Sequence, residues 1–530
     1  MIRRTGLLAS VLLVVGLWAV PCVRGEGPSD AAPAPSTGGV EAVVRFDARV
    51  RSSPATGRVL VFFLREGANV SPRAQPSDAP FYDDPQPLAG LDVRELTPGQ
   101  AVTLGADAQS FPGPLSALPD GSYRVQAALD CSRTHSDWTD EPGNLYSEIA
   151  SIQVRGGATQ RVELLLDNVV EPRPLPDVPG VQFFDAPSKL LSDFRSGSEK
   201  VRAGVVLPVG YDPAKRYPAV YVIGGFGSTH RFAAALARMR SYPGPGLPQL
   251  ARHAFLIVPD PDSANGHTLF ADSDNNGPAG RALVEELIPA LEAAYPLIAQ
   301  PGARLVTGHS SGGWSAVWLL LNYPEVFGNA FSGAPDPLDF RALQKTNIYA
   351  DANFYTDARG ADIPSNVQNG RVLMTVRQEN GWEEARGPDN TSGQQWDSWQ
   401  AVFGPRNARG RPAALFDAST GVIDRDIARA YARFDMSELV RRDPGRLVPL
   451  CAGRLRIVVG AEDEWNLDEG VRLFAQTLAE LGAPMDGSDG WGRIDIVPGA
   501  NHGTVMRAPA YDAMYAAMVD LLVSRGFASR

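Results

Sequence analysis

Cysteine is scarce in this chain: its 530 residues hold only Cys22, Cys131 and Cys451. That excludes a disulfide-built scaffold. Cys131 and Cys451 fall in different expected domains, so two free thiols stand beside the alternative of one pair. Basic charge is in the minority, 49 Lys and Arg against 60 Asp and Glu for a net charge of −11, which argues against nucleic acid as a partner. Long apolar runs are absent apart from one at the N-terminus, so no membrane span is expected after it. Histidine is rare, at six residues, and only His502 lies beyond residue 310. No metal motif is complete either. Asp272-Ser273-Asp274-Asn275-Asn276-Gly277 matches the first half of a calcium loop, but Leu283 stands where the twelfth-position glutamate belongs. Neither a metal nor an organic cofactor is expected.

What is present reads as two domains, because 530 residues exceed one ordinary core, and the hydrophobic content of 44% with 21% charged residues is that of a globular protein. Arg3-Arg4 ahead of the apolar run from Leu7 to Val20 reads as a signal peptide over 1–25, implying export to a periplasm or beyond. Residues 26–38 read as a flexible linker. Over 39–170 apolar positions recur at every second residue, as in Val44, Phe46, Ala48 and Val50 or Val162, Leu164 and Leu166. With Pro, Gly, Asp and Asn clusters between the runs, this predicts an immunoglobulin-like all-β sandwich. A Pro-rich joint follows over 171–184. From 185 to 530, strands at 201–207, 219–223, 255–258, 304–307, 455–459 and 494–497 alternate with helical stretches, notably 281–295 and 511–522. That rhythm predicts an α/β fold with a doubly wound, mostly parallel sheet covered on both faces. It breaks between about 334 and 454, an insertion carrying Trp382, Trp396 and Trp399 that reads as a lid or a surface decoration. Its tryptophans would line a pocket or form the insertion's own core.

The strongest local signal is Arg304-Leu305-Val306-Thr307-Gly308-His309-Ser310-Ser311-Gly312-Gly313-Trp314. A short apolar strand runs into Gly-x-Ser-x-Gly and then into an apolar helix, the pattern of a nucleophile elbow that leaves Ser310 exposed on a sharp turn. A serine hydroxyl is a weak nucleophile and needs a base, with an acid orienting that base. His502, in Gly499-Ala500-Asn501-His502-Gly503 after the last expected strand, is the candidate base. The acid is expected after the preceding strand, where Asp463 is the choice and Glu462 the next. Two backbone amides must hold a developing oxyanion: Ser311 at the helix start, and Phe226 or Gly225 in the loop Gly224-Gly225-Phe226-Gly227-Ser228. His309 reads as packed inside the elbow rather than catalytic and, with Gly225, is a candidate to touch substrate, while His230 and His267 read as pocket-lining or solvated loop histidines. Trp465 joins the insertion tryptophans as a candidate to stack on substrate.

Residues from about 185 to 525 resemble the esterase D family of α/β-hydrolases, which includes enterochelin, feruloyl and acetylxylan esterases and mycolyltransferases. The matching segments are Leu207-Pro208, Tyr217-Pro218-Ala219-Val220-Tyr221-Val222, Glu285-Glu286-Leu287-Ile288-Pro289, and Tyr323-Pro324-Glu325-Val326-Phe327. The chain departs from the family in having Gly224-Gly225 where His-Gly is usual, and Ser311 where an apolar residue is common. The resemblance implies a serine esterase acting through Ser310, His502 and Asp463 on a small-molecule or polysaccharide-linked ester, and the expected leader adds export. An acyltransferase or peptidase with the same triad, or a binding protein on a hydrolase scaffold, are the alternatives.

Overall fold

A computed structural model describes residues 37–529, apart from 72, 80–81, 241–245 and 489–490. The expected leader over 1–25 and most of the linker over 26–38 lie outside the described residues. The chain divides into two compact units, the first running through Arg133 and adding Trp138–Pro172 and Glu384–Gly387, the second holding Thr134–Asp137, Arg173–Glu383 and Pro388–Arg530.

The first unit is built mainly of strands. Its strands are β1 (Val40–Phe46), β2 (Ala55–Arg65), β3 (Leu88–Leu96), β4 (Val102–Leu104), β5 (Gln109–Phe111), β6 (Gly121–Asp130), β7 (Leu145–Ser147), β8 (Ala150–Val154) and β9 (Gln160–Val169). They join in one hydrogen-bonded sheet of order β4-β1-β9-β7-β6-β2-β3-β5, with β8 also on β6. All pairs are antiparallel except β9 on β1. The period-two pattern works as alternation requires: Val162, Leu164 and Leu166 are buried while Arg161, Glu163 and Asp167 are exposed.

The second unit is built on an eight-stranded sheet: β10 (Val181–Ser188), β11 (Glu199–Val206), β12 (Ala219–Ile223), β13 (Phe255–Pro259), β14 (Arg304–His309), β15 (Asn329–Gly333), β16 (Leu455–Gly460) and β17 (Arg493–Val497), in the order β10-β11-β13-β12-β14-β15-β16-β17. From β13 to β17 every pairing is parallel, and β10 and β11 add an antiparallel edge. Half of β10 lies in the stretch read as a Pro-rich joint. It pairs with β11 along the full register and stands at the end of the strand order, an edge position where a strand tolerates a proline such as Pro187. The chain leaves β12 for β13 on one side and returns to β14 on the other. The strand order therefore reverses at β12, and open α/β sheets place their ligands at such a switch point.

Five helices matter for the site: α1 (Ser311–Asn322), α2 (Val376–Arg386), α3 (Gln395–Phe403), α4 (Leu467–Glu480) and α5 (Pro509–Ser524). Every residue of α1 from Ser311 to Leu321 is buried, as expected of a helix apolar on all sides. What covers it corrects the reading of the insertion. Trp314 meets Phe403 of α3 at 5.4 Å, Trp318 meets Phe434 at 5.3 Å, and Trp396 packs edge-on against Trp399 at 4.9 Å. Residues 334–454 thus share one core with the nucleophile helix and are no surface decoration. Trp396 and Trp399 are each 2% exposed, buried in this core. Trp396→Ala should therefore cost about 3–5 kcal/mol of stability, read as a lowered urea midpoint. An unchanged midpoint would return Trp396 to the surface.

Candidate active site

The elbow forms because two glycines let three backbone segments meet. A Cβ on Gly308 would lie 2.3 Å from the Gly312 carbonyl carbon, and one on Gly312 would lie 2.1 Å from the Ile223 carbonyl oxygen. Between them Ser310 sits at φ 60° and ψ −128°, a strained conformation for a residue with a side chain, and is half-buried. Its N–H donates to the Gly333 carbonyl at 3.0 Å, fixing the turn against the end of β15. Ser311 begins α1, so its N–H is among those without an intrahelical partner and points from the positive end of the helix. The loop after β12 brings Gly225, buried, and Phe226, half-buried, beside this helix start, since Gly312 touches Ile223 and Gly224.

His502 follows β17 and is 8% exposed. Its Nδ1 lies 2.7 Å from Asp463 Oδ2, and its backbone N–H donates to Glu464 Oε2 at 2.7 Å. Asp463 Oδ1 accepts the Trp465 N–H at 3.0 Å, so both carboxylate oxygens are engaged. Glu462 is exposed, and of the two carboxylates it is that of Asp463 that meets the imidazole. The imidazole is clasped by two rings, His309 at 4.5 Å and Trp465 at 5.0 Å, and the first of these is Ser310's chain neighbour. Among the described residues no hydrogen bond joins the Ser310 hydroxyl to His502 in this conformation. Such contacts commonly tighten only around substrate.

Of the other tryptophans and histidines singled out, Trp465 reaches the site and Trp382 lies half-buried on α2. His267, read as pocket-lining or solvated, is buried. His230 is tied to Asp260 at 2.6 Å. The half calcium loop is a small hairpin whose Asn275 donates to the Ala401 and Gly404 carbonyls, and Arg281 N–H donates to Asp272.

Asp336 escaped the sequence reading. Its buried carboxylate accepts Ser311 Oγ–H at 2.7 Å and Trp399 Nε1–H at 2.8 Å, and its N–H donates to the Ser310 carbonyl at 3.3 Å. It therefore braces the turn from below. Burial pushes this carboxyl up to about 6, against the pull of the two donors. An Asp three residues past the strand after the elbow was the available signal. Its partner Trp399 lies 63 residues away, too far for local pattern to pair them.

Burial alone would lower the His502 pKa, but the adjoining Asp463 carboxylate, with Glu464 and Asp336 further off, outweighs it and raises the imidazole above its ordinary value. A base acts only when unprotonated, so kcat/KM should rise with pH through a limb above the ordinary imidazole range. Asp463→Asn should move that limb to lower pH. A pH series on p-nitrophenyl acetate checks both, and a wild-type limb below pH ~6 contradicts the assignment.

Residues 196–412 match the family model described as "Putative esterase". The chain is a serine hydrolase of the esterase class, in agreement with the motif resemblance. The esterase match holds Ser310 and the loop after β12 but stops short of Asp463 and His502, which the fold alone brings to the elbow. Among solved structures, a ferulic acid esterase shares 13% identity at a TM-score of 0.37, over 64% of this chain and 97% of its own. An S-formylglutathione hydrolase from Agrobacterium tumefaciens shares 15% at 0.35, over 66% and 95%. The fluorophosphonate-binding serine hydrolase F of Staphylococcus aureus shares 12% at 0.36, over 64% and 98%. Among curated proteins, none matches the sequence. Among the described residues no helix is long and apolar enough to cross a membrane, and no cluster of three His, Cys, Asp or Glu side chains could hold a metal ion.

Proposed function

We propose that this esterase hydrolyses a carboxylic ester through a Ser310–His502–Asp463 triad and an acyl-enzyme. The observation that carries the reading is the Asp463–His502 bond at 2.7 Å, with the imidazole packed against the elbow that strains Ser310. With Nδ1–H donated to Asp463, the imidazole keeps Nε2 free to take the proton of the Ser310 hydroxyl as its oxygen attacks the ester carbonyl. The bond to the alcohol breaks as His502 returns that proton to the leaving oxygen. Water, deprotonated by the same nitrogen, then releases the acid. The amides of Ser311 and of Phe226 or Gly225 carry the charge on the tetrahedral oxygen. Neither metal nor organic cofactor enters these steps.

Small-molecule and polysaccharide-linked esters, acetyl or feruloyl among them, are the substrate class that the family match and motif resemblance favour. In this reading residues 1–25 export the protein to a periplasm or beyond, and 39–170 form a sandwich ahead of the catalytic domain. The alternating burial along β9 supports the sandwich. A fluorophosphonate probe should label the wild-type protein at Ser310, and a panel of aryl, acetyl-sugar, feruloyl and thioester substrates should rank the acyl group. Absence of both labelling and turnover would leave the hydrolase fold as a scaffold.

A further inference from the structure

The loop that offers Gly225 and Phe226 is tied down by a buried histidine outside the triad. His267 is 3% exposed and uses both ring nitrogens. Nδ1 accepts the Leu269 N–H at 3.0 Å, which leaves the proton on Nε2, and Nε2–H donates to the Gly224 carbonyl at 3.0 Å. Burial pushes this imidazole down to about 4, so it remains neutral and the tautomer holds. A trans peptide is planar, with its C=O and N–H opposed. Pinning the Gly224 carbonyl therefore aims the Gly225 N–H the other way. The next peptide is pinned as well, because Ser228 N–H donates to the Gly225 carbonyl at 3.0 Å and so aims the Phe226 N–H. Past the loop, Asp260 Oδ2 holds His230 Nδ1 at 2.6 Å.

A second observation concerns the backbone that carries His267. Leu269 and Phe270 stand in succession at φ 54° and 48°, with both side chains buried. Two consecutive left-handed residues with large side chains are costly, and such strain persists where surroundings over-determine it, typically beside functional sites. Here the Leu269 N–H is the very group that fixes the His267 tautomer.

We propose that His267 is a positioning residue that, through the Gly224 carbonyl, orients the peptide carrying the Gly225 N–H, one of the two candidate oxyanion amides of this loop. The proposal rests on the serine-esterase reading. It is tested in the full chain with His267→Ala and His267→Gln, measuring kcat and KM on p-nitrophenyl acetate per site titrated by a fluorophosphonate, together with the pH profile. His267→Ala should lower kcat about 10²-fold, the scale of losing one oxyanion donor. KM should stay within about threefold of wild type and the His502 limb should not move. His267→Gln, whose amide N–H can reach the Gly224 carbonyl, should recover most of that loss. Wild-type kcat per titrated site in the alanine variant would overturn the proposal. So would losses in both variants that fall on KM, or failure of both to fold, since either makes His267 structural only. A wild-type protein that neither turns over ester nor labels would instead overturn the reading beneath it.

Discussion

Ser310→Ala and His502→Ala should each bring ester turnover to the background left by the oxyanion amides, a loss of about 10⁶ in kcat on the scale of other serine triads. The two losses should not add, since either residue alone disables the same proton transfer. Asp463→Asn should fall short of that, at about 10³–10⁴, because an amide still fills the space but no longer holds the imidazole in its working tautomer. The contrast with its neighbour is the sharper test. Glu462 is exposed while Asp463 Oδ2 sits 2.7 Å from His502 Nδ1, so Glu462→Gln should retain near-full activity. Steady-state rates on p-nitrophenyl acetate, with circular dichroism to confirm folding, decide it. A dead Glu462→Gln beside a working Asp463→Asn would exchange their roles.

Elements whose signal is local were legible in the sequence. The elbow pattern shows in five residues, and His502 stands out as a candidate because it is the only histidine beyond Ser310. The parallel strands showed as short apolar runs, which strands buried on both faces produce. What escaped depends on partners distant in sequence. β10 carries Pro187 and buries only Ser188 fully, so it has no strand pattern of its own and is defined by pairing with β11. The polar insertion gave no hint that Phe403 and Phe434 close over Trp314 and Trp318 of α1. Asp336 and His267 look like ordinary loop residues until the Ser311 hydroxyl and the Gly224 carbonyl are seen to reach them.

Gly312→Ala should be severely damaging, although it removes no catalytic atom. The added Cβ would stand 2.1 Å from the Ile223 carbonyl oxygen and 2.7 Å from that of Gly224. Both are backbone atoms, at the end of β12 and the root of the loop that presents Gly225 and Phe226. No rotamer change relieves such an overlap, so either α1 withdraws or the loop does. Each alternative separates the Ser311 amide from the loop amides, which act only when both reach one oxygen. A displacement near 1 Å costs about 10² in rate, and loss of an oxyanion donor about 10²–10³. The variant should therefore lose at least 10³ in kcat, and its fluorophosphonate labelling should slow in parallel because that adduct needs the same pocket. Gly503→Ala is the matched control, one residue past His502. Its Cβ would find nothing nearer than Asn501 Oδ1 at 3.9 Å, and its φ of −81° suits any residue. It should keep wild-type rates within about twofold, as an unstrained surface substitution does. Equal activity in both variants would show that the close approach of α1 to the β12 loop is not what builds the oxyanion site.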